Sequence, residues 1–103
     1  MLVKLGHTNK AVTTAGTAVA LASSTRVRSV MIQANNANTN NIYVGGSTVS
    51  SSSYGTFLTA GNSVTIEAPD MGNSGANDLD LADIYIDADT DGEGVSVTYL
   101  YRN

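Results

Sequence analysis

A chain of 103 residues has room for one domain of ordinary size. It contains no Cys, which excludes disulfides, thiolate zinc sites and a thiol nucleophile. A formal net charge of −4 with only five basic residues, Lys4, Lys10, Arg26, Arg28 and Arg102, is too sparse in cations to track phosphates, so nucleic acid is not expected as a partner.

Ser, Thr, Asn and Gly make up 43 of the 103 residues, a usage that suits short strands joined by polar turns. No apolar run approaches the roughly 20 residues needed to cross a bilayer as a helix. The first residues, Met1 to His7, lack the basic region, apolar stretch and cleavage site of a secretory signal, so the expectation is a chain made in the cytoplasm with no membrane partner.

Residues 1–14 read as an amino-terminal arm, and residues 15–103 as a β-sandwich domain. In the arm, Leu2, Val3 and Leu5 are candidate partner-binding residues, able to add as a strand to a neighbour's sheet edge. Residues 17–21 alternate Val19 and Leu21 against Ala18 and Ala20. Residues 27–34 place Val30, Ile32 and Ala34 on one face, with Ser29, Met31 and Gln33 on the other. The Asn-rich stretch 35–40 is a turn, and residues 41–45 send Ile42 and Val44 inward and Tyr43 outward.

Gly45-Gly46-Ser47 lacks both the Lys and the helix of a phosphate-binding loop and reads as a hairpin turn. Ser50 to Ser53 continue that loop, and Val64, Ile66 and Ala68 then alternate with Thr65 and Glu67. A loop is expected at residues 71–77. Between Leu79 and Ala88 the apolar phase changes: Leu79 and Leu81 share one, Ile84, Ile86 and Ala88 the other. A turn or bulge near Ala82 and Asp83 restores the inward register.

The last strand sets Val95, Val97, Tyr99 and Tyr101 against Ser96, Thr98 and Leu100. About eight strands at roughly ten-residue spacing predict an all-β fold, an antiparallel jelly-roll-like sandwich. Ile42-Tyr43-Val44 and Ile84-Tyr85-Ile86 echo one another and suggest equivalent strands, each aiming a Tyr away from the core.

The clearest metal-like signal is Asp87, Asp89 and Asp91 followed by Gly92, which resembles the opening of a calcium loop because a hard cation needs closely spaced oxygens. The twelfth position, Thr98, cannot supply the bidentate carboxylate, and the ninth is Val95. The competing reading is a polar hairpin turn between residues 84–86 and 95–97, set by Asp91-Gly92. Seven of the nine acids fall between Asp78 and Glu93, either a docking region for a basic partner or a solvated surface.

His7 is the single histidine and has no catalytic motif around it. No acid, base and nucleophile can be brought together from the sequence, so no catalytic residue or cofactor is assigned and the chain is not read as an enzyme. The aromatics Tyr43, Tyr54, Phe57 and Tyr85 are the better candidates for function. On an outer sheet face they can anchor a partner subunit, stack on sugars, or simply pack across strands.

The succession Thr17 to Leu21, Val27 to Ala34, the Asn-rich turn, Ile42-Tyr43-Val44-Gly45, Leu58, Ala60-Gly61-Asn62-Ser63-Val64, Ile84 to Ala88 and Val95 to Tyr99 resembles small virion proteins of tailed bacteriophages. The resemblance spans about residues 17–101. It implies a capsid decoration (cement) protein, a structural jelly roll on the outer capsid surface. Its partners would be the major capsid protein and further copies of itself, a trimer being favoured and a dimer possible. The alternative function is a receptor- or carbohydrate-binding module of a phage tail fibre or spike.

Overall fold

A computed structural model describes residues 2–69 and 78–102, so the loop expected at 71–77 lies outside the described residues. The chain forms β1 (Val3–Ala11), β2 (Val19–Ala20), β3 (Arg26–Val27), β4 (Ser29–Ala34), β5 (Ile42–Gly45), β6 (Thr56–Leu58), β7 (Ser63–Glu67), β8 (Leu79–Asp80), β9 (Tyr85–Ala88) and β10 (Gly94–Arg102). One four-stranded sheet, which we call the β4 sheet, runs β1-β10-β4-β7; the other, the β5 sheet, runs β2-β9-β5-β6; β3 and β8 make a small third ladder. Every ladder is antiparallel.

The pairing is nested. First strand pairs with tenth, second with ninth, third with eighth, fourth with seventh and fifth with sixth. The chain is thus one long antiparallel ribbon, rolled so that successive stretches fall in alternate sheets. The fold is an all-β antiparallel sandwich, as its alternating pattern demands.

The core lies between the sheets. Val30, Ile32, Ala34, Val95 and Val97 face it from the β4 sheet, and Ile42, Val44, Leu58, Ile86 and Ala88 from the β5 sheet, all buried. All of them except Leu58 are the inward phases read from alternation. Their removal from water supplies the main favourable term, about 1.5–3 kcal/mol for each large aliphatic side chain.

Three local features differ from the sequence reading. Residues 3–11 do not hang free as an arm: all nine pair with β10 of the same chain, from Val3 opposite Arg102 to Ala11 opposite Gly94. A strand edge inside the chain is always within reach, whereas a neighbour's must be recruited at an entropic cost. Residues 27–34 are not one strand. Val27 and Val30 are both buried although three apart, so the phase slips at Arg28, whose N–H donates to Leu100 O while its own carbonyl accepts from Ala68 N.

The third difference is the Asp91-Gly92 turn. Glu93 N donates to Thr90 O at 3.4 Å and Gly92 takes φ +83°, but the turn carries the chain from β9 in one sheet to β10 in the other. It therefore closes no hairpin. The phase change near Ala82 is a single 3-10 turn, Leu81–Asp83, with Asp80 as its N-cap. That turn buries Leu81 while returning Ile86 to the core.

Candidate interaction surfaces

Residues that point outward from the two sheets give the sandwich two opposed faces. On the β5 sheet, β5 and β6 put Tyr43 directly opposite Phe57, and the loop between them brings Tyr54 over both. The Tyr43 and Tyr54 rings lie 5.1 Å apart and tilted by 39°, and Tyr54 meets Phe57 edge to face at 5.8 Å and 83°. Tyr43 is only 7% exposed despite its outward phase, because Tyr54 covers it, while Tyr54 and Phe57 are 46% and 48% exposed.

The Tyr43 hydroxyl donates to Asp89 Oδ2 at 2.9 Å. That hydrogen bond, together with burial, holds the phenol above its ordinary pKa. The result is a rigid two-ring corner on a fixed base. Tyr85 shares the outward phase of β9 but is half-buried and makes no ring contact with the corner.

On the β4 sheet a second face forms from residues far apart in sequence. The register sets Leu5 directly across from Leu100, with Val3 one row further along and Met31 one row back beside Thr98. Leu2 and Leu5 are each 68% exposed, and Val3, Met31 and Leu100 are exposed too. The arm residues were singled out by sequence; Met31 and Leu100 were not. Their signal was present, as apolar residues at solvent-phase positions of half-buried strands.

The acidic stretch is consumed mainly by the fold. Asp87, 1% exposed, accepts from Gly16 N at 2.9 Å and Ala88 N at 2.8 Å; Asp91 accepts from Ala15 N at 2.7 Å; Asp89 holds Tyr43. Asp87 and Asp91 thus clasp the consecutive amides of Gly16 and Ala15 while Asp89 serves Tyr43, so each carboxylate of the calcium-like motif is engaged by the protein's own donors. Among the described residues no group of three or more His, Cys, Asp or Glu is arranged to hold a metal ion.

Glu93 accepts from the backbone N–H and hydroxyl of Thr39 at 2.6 and 2.8 Å and from Asn40 N at 3.1 Å, and these bonds, the Thr39 N–H foremost, hold its carboxyl below the usual range. Asp80 accepts from the Ser24 hydroxyl, which leads in lowering its pKa, and from the backbone of Ala82 and Thr25. Asp78 pairs with Arg102 at 3.3 Å. These acids tie loops together. His7 stands exposed on β1 opposite Thr98.

No protein-family model, curated protein or solved structure matches this chain.

Proposed function

We propose that this chain is a structural virion subunit, a capsid decoration protein that binds the outer surface of a shell and braces it. The observation that carries the reading is the pair of exposed apolar faces on opposite sides of one sandwich, Val3, Leu5, Met31 and Leu100 on one and Tyr54 and Phe57 on the other. A body with two opposed contact faces bridges two partners. The nested strand order supports classing the sandwich as a jelly roll, in keeping with the resemblance to phage virion proteins.

The partners in this reading are the major capsid protein and further copies of the chain. Many modest contacts repeated by shell symmetry produce a tight lattice without any single strong site. The aromatic corner is the natural anchor, because two pre-ordered rings lose little side-chain entropy on docking. A carbohydrate-binding module is the second reading, favoured by the same Tyr54 and Phe57 rings beside the Ser50 to Ser53 loop.

The test is addition of the purified chain to capsids assembled from the major capsid protein of the same genome. Saturable binding with a raised capsid melting temperature is expected, lost in a Tyr54→Ser, Phe57→Ser double variant that still folds. Absence of binding, or binding without stabilisation, overturns the reading. Retention on immobilised host glycans with no affinity for capsids selects the second.

A further inference from the structure

The two edges of the β4 sheet are complementary to one another. β1 is nine residues long, pairs with β10 along one side, and carries Lys4 and Lys10 with no acid. Lysines on an edge oppose pairing of that edge with a copy of itself, since any β1 to β1 ladder gathers four lysines and no carboxylate. At the far edge β7 ends in exposed Glu67. Beside β7 the sheets part, leaving a cleft of about 410 Å³ lined by Val44, Val64, Ile66 and Ile84, with exposed Asp83 among its walls. Val64 and Ile66 face inward there yet are only partly buried.

We propose that the chain associates head to tail with copies of itself. β1 of each copy adds to β7 of the next, with Leu5 opposite Glu67 on the outer face and Lys4, one residue back on the cleft face, meeting Asp83. Direction and level both fit. β1 runs opposite to β10, β10 opposite to β4 and β4 opposite to β7, so β1 and β7 of one molecule run in opposite directions. A neighbour rotated about an axis parallel to the strands therefore presents β7 antiparallel to β1.

Along the sheet, Leu5 aligns with Leu100, Leu100 with Ser29 and Ser29 with Glu67, so the two edges meet without sliding. Gly6 and Ile66 share the adjacent row through Tyr99 and Val30. A head-to-tail contact with no step along the strands closes into a ring when the rotation between neighbours divides a full turn, whereas a step gives a filament. The inference shares with the proposed function only the expectation of self-association. Its test uses no capsid, so either can fail alone.

The absence of native Cys makes that test direct. Leu5 and Glu67 stand on opposite edges of the sheet, three strand spacings or about 14 Å apart, beyond the Cα separation of about 7 Å that a disulfide spans. A disulfide between these positions must therefore join two molecules. Full-length Leu5→Cys and Glu67→Cys variants, mixed under mild oxidation, are expected to give a covalent heterodimer faster than either alone. A Leu5→Cys, Glu67→Cys double variant should give closed species of one size.

Sedimentation of the unmodified chain should show concentration-dependent association that Lys4→Glu weakens at least about tenfold, and that adding Asp83→Lys restores. A monomer throughout, homodimers of Leu5→Cys outrunning the mixture, or association indifferent to Lys4→Glu each overturns the proposal.

Discussion

Replacing Asp87 with Ala tests how a buried acid serves this fold. β2 begins its ladder at Val19, opposite Ile86, so the strand that would accept from Ala88 N–H is absent at that level. Asp89 N–H donates to Asn41 O on the β5 side, and amides alternate along a strand, so Ala88 N–H faces the gap. Asp87 Oδ1 fills it at 2.8 Å while also holding Gly16 N at 2.9 Å. The Ala88 donor is buried, and losing a charged acceptor costs about 1.5–3 kcal/mol.

Gly16 is exposed and its N–H recovers water, so its loss adds about 0.5–1 kcal/mol. Relief of the carboxylate's desolvation offsets part of this. The expected net destabilisation is about 2–3 kcal/mol, a fall in melting temperature of about 10–15 °C for a domain of this size. Urea and thermal unfolding followed by circular dichroism measure it, with Asp87→Asn expected between wild type and Asp87→Ala. Asp91→Ala, which removes one acceptor at an exposed site, should cost less than about 1 kcal/mol. A loss below about 0.5 kcal/mol in Asp87→Ala would refute the view that this carboxylate replaces a missing strand.

Gly94→Ala is expected to cost about 2–4 kcal/mol, because an added Cβ meets Lys10 O and comes within 2.7 Å of Ala11 Cα, backbone atoms that cannot swing aside; the denaturant midpoint reads it. Asp80 and Glu93 both have folded pKa values below their ordinary ones of about 3.9 and 4.3, so near and below those values the unfolded chain binds more protons. Their stabilisation is complete above about pH 5 and is lost as pH falls through the depressed folded values. Asp80→Asn with Glu93→Gln should therefore flatten the acid limb of a urea-midpoint profile between pH 6 and 3. Calcium is expected to leave the melting temperature unchanged, since Asp87, Asp89 and Asp91 are each engaged by the protein's own hydrogen-bond donors; a rise that saturates with calcium would contradict that geometry.

Alternation alone located the core. Val30, Ile32 and Ala34, Ile42 and Val44, and Val95 and Val97 are buried where a period of two places them, because a strand has only two faces and one must leave water. The phase change before Ile84 likewise announced the 3-10 turn at Leu81–Asp83. The slip at Arg28 left a similar trace in the three-residue spacing of Val27 and Val30. Thr56–Leu58 is too short for alternation to mark.

What tertiary structure alone decided is which strands meet. Leu5 faces Leu100, and Tyr54 covers Tyr43, only because the ribbon is rolled and its loops are laid over the sheets. The same rolling drew residues 3–11 onto their own sheet and turned a calcium-like run of aspartates into clasps on the Ala15-Gly16 amides and the Tyr43 hydroxyl. A strand's pattern specifies its faces, but its edges accept any backbone, so partners are chosen by chain connectivity and packing and not by the strand's own residues.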